Sequence, residues 1–301
     1  MNVRPNPPLA AALTVLASSF VAGTTLLAKA LGTEALGPPL HALQVSQGRF
    51  IFALLAIGLV TAVVRPKLKR TNFALHIGRS SFGWGGVTLM FAAAAFIPLS
   101  DATAISFLNP VIGMLLAIPF LGERIGKWRV FSALVAFSGA MLLTRPSAGV
   151  IEFGALLALG SAALLGAELI FIKLLAGREG PLQILLVNNL IGCTIASTAA
   201  FFVWMAPTPA QWLALAGVGF LMAAAQSCFI NAIARADTGF VAPFFYTTLA
   251  FATLYDRVIF GVVPDWISIS GAVLIIAGAA ILVWRETVNA AGDDSAATQG
   301  Q

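Results

Sequence analysis

The chain has 301 residues, 59% of them hydrophobic and only 10% charged, and its mean hydropathy is +0.94. Soluble domains average roughly 45–50% apolar and about 25% charged residues, so this composition excludes a soluble fold and places the chain in a bilayer. The net charge of +5 comes from 17 Lys and Arg against 12 Asp and Glu. These cations lie mostly in loops, so they report membrane orientation and no nucleic-acid partner.

A spanning helix needs about 20 mostly apolar residues. Ten runs qualify: 9–31, 42–64, 74–97, 101–121, 127–144, 150–173, 181–206, 210–233, 238–261 and 265–284. Gly- and Pro-rich breaks such as Gly37-Pro38-Pro39, Pro98 and Val263-Pro264-Asp265 separate them. The first run is longer than a signal-peptide core and another span follows closely, so it reads as a retained helix. The loops are short, which predicts one bundle. Segments 1–8 and 287–301 are predicted to be disordered. Cys193 and Cys228 fall inside apolar runs and read as buried small residues, without disulfide or metal spacing.

Counting loops alternately, one side collects Arg4, Arg65, Lys67, Lys69, Arg70, Arg124, Lys127, Arg129, Arg178, Arg235 and Arg285. The other holds little beyond Arg145, with Lys29 and Arg257 near helix ends. Positive charge accumulates in the cytoplasm, so both termini are expected inside, across the cell (inner) membrane.

Two stretches of the chain then match. Asp101 and Asp237 head apolar runs 136 positions apart; Pro110 and Pro243 follow, then Gly122 and Gly261, 139 apart. A Gly-bearing apolar helix closes each stretch, at 131–143 and 270–282. Five spans per half is odd, so the second half enters the membrane from the opposite face. The predicted fold is therefore an all-α integral membrane protein of ten transmembrane helices in two inverted five-helix repeats, 9–145 and 150–286. Such duplication is the signature of a transporter built around a central site.

Pro243-Phe244-Phe245-Tyr246, Phe260-Gly261-Val262-Val263-Pro264-Asp265-Trp266 and Trp284-Arg285-Glu286 resemble the end of an EamA-type member of the drug/metabolite transporter superfamily. In the first half, Pro98-Leu99-Ser100-Asp101-Ala102-Thr103, Asn109-Pro110 and Phe120-Leu121-Gly122-Glu123-Arg124 resemble that family's fourth helix and following turn. Arg49 and Arg79 stand where it often has an arginine. The resemblance covers about residues 9–286 and implies ten helices in inverted repeats and transport of small metabolites by alternating access. The chain departs from the pattern at Tyr255-Asp256-Arg257, and Val262 replaces the acid that commonly follows the glycine.

Polar residues inside spans are rare because each ionised one costs about 2.5–3.5 kcal/mol. Gln44, Gln47 and Arg49 lie in the second span, with Arg49 reading either as a snorkelling or structurally paired cation or as an anion-binding group. Asn109 with Pro110, and Tyr246 with Pro243, occupy related places in the two repeats. Each proline frees a carbonyl, which marks a site or hinge against the alternative of a packing kink. Glu168 reads equally as a proton-titrating carboxylate or as the partner of an arginine on another helix. Asn188 and Gln226 are candidate binding amides beside the alternative of interhelical hydrogen bonds. Trp84 offers a stacking ring beside the alternative of packing or lipid contact, and Asp256 and Arg257 near the outer end of the ninth span read as rim ion pairs to other helices or a gate.

The expectation is a secondary transporter of a small organic metabolite, an amino acid or derivative or a solute resembling S-adenosylmethionine, with a possible coupling proton. Its partners are that solute and the bilayer; no cofactor or metal is implied, and monomer and homodimer both stay open. A membrane enzyme is disfavoured because His41 and His76 have no evident acid pair or cysteine nearby. A receptor or assembly subunit is the remaining alternative.

Overall fold

The computed structural model describes residues 6–66, 68–121, 131, 134–135, 137–139, 141–142, 152–176, 178–233, 235, 244–245, 247–278, 280–281 and 284. Among them all regular structure is helical. The helices are α1 (Pro7–Gly32), α2 (Ala42–Val64), α3 (Phe73–Phe96), α4 (Leu99–Ser106), α5 (Asn109–Leu121), α6 (Phe153–Ala176), α7 (Pro181–Phe201), α8 (Pro209–Ile233), α9 (Thr247–Tyr255) and α10 (Trp266–Gly278). Five of these, α1, α2, α6, α7 and α8, are long and apolar enough to cross a membrane.

Helix α1 starts inside the segment expected to be disordered. Asn6 accepts a hydrogen bond from the Leu9 N–H at 3.1 Å, and Pro7 and Pro8 fill the first turn, where a missing N–H costs nothing. The fourth run is not one kinked helix. It breaks at Phe107 and Leu108, whose N–H groups turn back to Ala104 and Ile105, and α5 restarts with Pro110 as its second residue. Proline in that position cannot donate to the preceding turn, so the chain tightens before it. The seventh run ends at Phe201, five residues early, and the segment after it is irregular. The ninth continues from α9 into a π-helical turn, Asp256–Phe260, closed by Gly261 at φ +67°. Pro243, Tyr246, Gly122 and the tail 287–301 lie outside the described residues.

The most extensive packing is α3 on α6 and α1 on α8, followed by α2 on α7. If the halves are exchanged helix for helix, α1 on α8 becomes α6 on α3, and α2 on α7 maps to itself. The closing helices of the halves meet as well: a Cβ on Gly139 would stand 2.5 Å from the Gly271 carbonyl and 2.8 Å from the Ile275 nitrogen. Small residues here allow backbones to touch, which is how apolar helices associate when lipid is as greasy as they are. Because the obstacle is backbone, Gly139→Ala should destabilise the protein by roughly 1–3 kcal/mol, read as a lower unfolding temperature in detergent. An unchanged transition would disprove that contact.

Candidate functional site

Three polar constellations interrupt the apolar packing. The central one starts from Glu168 of α6, whose carboxylate lies over α3: Gly83 leaves the room, since a Cβ there would stand 2.8 Å from Glu168 Cδ. One turn away on α3, Arg79 Nε approaches Glu168 Oε1 at 3.5 Å, and Arg79 Nη1 donates to the Ile184 carbonyl of α7 at 3.1 Å. Next to it, Ser80 Oγ donates to Asn188 Oδ1 at 3.1 Å. Four helices, α2, α3, α6 and α7, thus converge on one ionic group, because Arg49 of α2 is also within electrostatic reach of Glu168 and Arg79.

Other polar side chains of the same helices and of α8 are incompletely satisfied. Arg49 Nε and Nη1, Trp84 Nε1, Asn189 Oδ1 and Gln226 Oε1 are buried with no hydrogen-bond partner among the described residues. Natural proteins seldom leave buried polar atoms unpaired, so each such atom calls for a partner. Arg79 Nε, at 3.5 Å from Glu168, also lacks a hydrogen bond, so four donors and two acceptors here are unpaired among the described residues.

Above and below lie two clefts. An apolar one of about 330 Å³ opens between α1, α2, α3 and α6, lined by Ala28, Gly32, Leu40, Val45, Phe91 and Phe153 among others. At the opposite end of α3 a polar cleft of about 440 Å³ is lined by Arg70, Thr71, Asn72, Phe73, Arg178 and Glu179.

Each end of the bundle is also tied by a buried acid. At the end of α1, Lys29 Nζ meets Asp256 Oδ1 at 2.6 Å while standing 4.6 Å from the centre of the Phe260 ring. The other carboxylate oxygen, Asp256 Oδ2, accepts from the Leu99 and Ser100 N–H groups, capping α4. Expected at the rim, Asp256 is fully buried and pairs with a cation from the other half of the chain, whereas Arg257 is exposed. Neighbours on a helix point about 100° apart, so when Asp256 faces the bundle Arg257 is turned away from it.

At the opposite end, Glu179 accepts from the Asn72 N–H at 3.0 Å and from Gln183 Nε2 at 2.7 Å, and meets His76 Nε2 at 2.9 Å. His76 therefore has one acid beside it, 103 positions away in the chain, where no spacing rule reaches it. Burial pushes the Glu179 carboxyl up, but the bonds from Asn72, His76 and Gln183 outweigh it and hold it below its ordinary value of 4.5. A lowered folded-state pKa gives stability that is present above the unfolded value and lost as pH falls through the folded one. Glu179→Gln should therefore weaken the acid-induced loss of stability below about pH 4.5. Parallel unfolding curves for both proteins down the pH scale would contradict this.

The remaining sequence candidates separate. Gln44 donates to the Met205 carbonyl at 2.6 Å and accepts from the Met205 N–H at 3.2 Å, so both ends of its amide clamp the irregular segment after α7. Gln47 donates to Ser197 Oγ at 3.3 Å. Asn109 opens α5, where its carbonyl packs against Gly166 of α6. Arg49, Glu168 and Asn188 lie at the central group, Trp84 on α3 and Gln226 on α8 each bury one unpaired polar atom, and Asp256 belongs to the α1 latch. Arg79, Ser80 and Lys29 were not among the candidates. Arg79 carried a signal, an arginine six residues into a span; Lys29 looked like an ordinary helix-end cation. Among the described residues no three His, Cys, Asp or Glu side chains group as metal ligands.

Comparison with known proteins agrees with this architecture. The model of the EamA-like transporter family matches residues 9–145 and 152–284. A riboflavin transporter of Rhizobium johnstonii is 32% identical over 233 residues, 73% of this chain and 76% of that protein. A riboflavin transporter of Vibrio cholerae is 27% identical over 78% of this chain and 83% of its own length. An S-adenosylmethionine uptake transporter of Rickettsia bellii is 25% identical over 83% and 87%. A solved crystal structure superposes with a TM-score of 0.60 over 90% of this chain and 96% of its own at 20% identity, a likeness of fold alone. With two matched segments filling nearly its whole length and membrane-length apolar helices in each, this chain is a multi-pass membrane protein that belongs to the EamA-like transporter family.

Proposed function

We propose that the chain is a secondary transporter for a small polar organic solute, held at the central group of α2, α3, α6, α7 and α8. The observation that carries this reading is the set of buried, unpaired donors and acceptors around Glu168 and Arg79. A solute with hydrogen-bonding edges would satisfy them, and Trp84 would cover a flat ring. Riboflavin and S-adenosylmethionine, named for the relatives above, both carry a flat nitrogen heterocycle and are the first solutes to test.

In this reading the chain crosses the inner membrane ten times, as inverted repeats 9–145 and 150–286, with both termini in the cytoplasm. The exchange symmetry of the α1–α8 and α3–α6 contacts supports that arrangement. Alternating access follows: rocking one repeat on the other opens the apolar cleft at one end, closed by the Lys29–Asp256 latch, or the polar cleft at the other, closed by the Glu179 clasp. Glu168, paired with Arg79 and within the field of Arg49, is the group through which a proton would couple. A non-transporting receptor would need no second opening.

The test is binding followed by uptake. Purified protein is screened by thermal shift against riboflavin, S-adenosylmethionine, amino acids, nucleosides and sugars, and hits are followed into proteoliposomes. A ligand at a hundred times its dissociation constant stabilises the folded state by about 2.7 kcal/mol. A hit that is taken up, and lost in Gln226→Ala and Trp84→Phe, supports the proposal. Binding without uptake favours a receptor, and a folded protein that binds nothing in the panel defeats the reading.

A further inference from the structure

Arg49 is the least compensated charge among the described residues. It is 5% exposed, its guanidinium covers the ring of Phe50 at 4.4 Å, and neither Nε nor Nη1 has a hydrogen-bond partner. Phe50 is itself fixed. A Cβ on Gly192 of α7 would stand 2.3 Å from that ring, so the glycine exists as a slot for it. On the other side, α8 approaches the Arg49 backbone, where a Cβ on Gly219 would stand 3.0 Å from the Arg49 carbonyl. Arg49 lies seven residues, ~10 Å, from the start of α2 and its side chain is buried in the bundle.

The available counter-charge is already engaged. Glu168 makes its short approach to Arg79, and only its field reaches Arg49. The central group therefore contains two guanidiniums and one carboxylate among the described residues, a formal charge of +1 in a medium that makes bare charge expensive. The two arginines also differ in kind. Arg79 leaves its Nε without a hydrogen bond too, but it is bonded to Ile184 and ion-paired to Glu168, whereas Arg49 has neither and leaves both Nε and Nη1 unpaired on a planar fork suited to an anion's paired oxygens. Trp84 Nε1 adds one more donor, and the unpaired acceptors Asn189 Oδ1 and Gln226 Oε1 await N–H or O–H groups.

We infer that the transported solute carries one carboxylate or equivalent monoanionic group, received by Arg49 in exchange for no protein partner, together with hydrogen-bond donors elsewhere on its frame. This deepens the proposed function and rests on it. Binding one monoanion brings the central group to neutrality, which makes the loaded carrier the easier one to close around a dry interior. A solute without an acid group leaves the Arg49 charge uncompensated and binds more weakly than its acid counterpart.

Matched pairs that differ only at the acid test this: nicotinate against nicotinamide, and indole-3-acetate against indole-3-acetamide, with riboflavin and S-adenosylmethionine as references. Binding is followed by thermal shift on the purified full chain and uptake in proteoliposomes. The acid of a pair should bind at least about tenfold more tightly than its amide, the worth of one charge-assisted hydrogen bond. Arg49→Gln should erase that preference, and Arg49→Lys, which keeps the charge if the glutamine variant fails to fold, should retain part of it. Amides binding as well as acids, or a preference that survives Arg49→Gln, overturns the inference while leaving a neutral-solute transporter intact. A folded protein that binds neither pair and neither reference overturns the inference and the transporter reading together.

Discussion

Replacing Asp256 by alanine is expected to destabilise the protein by roughly 3–5 kcal/mol, the usual cost of stranding one member of a buried ion pair. Three groups lose their acceptor at once: the Lys29 ammonium and the N–H groups of Leu99 and Ser100. The ammonium is the dominant loss, because it is nearly buried and has only the Phe260 ring as a residual partner. Lys29→Met should cost less, since Asp256 keeps its two backbone donors, and the double variant should recover much of what Asp256→Ala loses. Asp256→Asn falls between them, keeping an acceptor for α4 but not the charge. Thermal unfolding of the four purified proteins in one detergent checks the order. If Asp256→Ala unfolds within about 1 kcal/mol of the parent, or the double variant is worse than either single change, the latch does not hold the two halves together.

The sequence exposed what depends on composition and on position along the chain. Hydropathy alone placed the long spans, and α2, α6 and α8 begin and end close to the apolar runs that announced them. The family resemblance rested on local strings such as Phe260-Gly261 and Asn109-Pro110, which need no fold to be read. What stayed hidden depends on contacts between distant segments. Nothing near Lys29 points to Asp256, 227 positions away, and nothing near His76 points to Glu179. Gln44 was read as a binding amide because it is polar and inside a span. Its use as a clamp on Met205 depends on α7 ending early, at Phe201, which an uninterrupted apolar run conceals. The π turn at Asp256–Phe260 has the same character: five ordinary residues with no local signal that the helix widens there. Arg49 was weighed between a structural cation and an anion site, and only its missing partners tilt that balance.

Glu168→Ala is expected to be the most damaging change at the central group, costing roughly 3–5 kcal/mol and abolishing uptake. It leaves two guanidiniums with no carboxylate between them, and Arg79 keeps just its bond to the Ile184 carbonyl. Glu168→Gln is the more informative variant. The amide matches the carboxylate in shape and can still accept from Arg79, so folding should survive, while the group's formal charge rises from +1 to +2. Two consequences are separable. If Glu168 exchanges a proton during transport, the glutamine variant should lose any dependence of uptake on an imposed proton gradient while still binding solute. If Glu168 only positions Arg79, then Arg79→Met combined with Glu168→Leu should restore stability and uptake together, since a matched apolar pair can replace a buried ion pair without loss. Restored folding with no uptake would assign the carboxylate to the transport cycle itself. Proton-driven uptake that persists in Glu168→Gln would remove it from coupling and leave it as the counter-ion that keeps Arg79 in place.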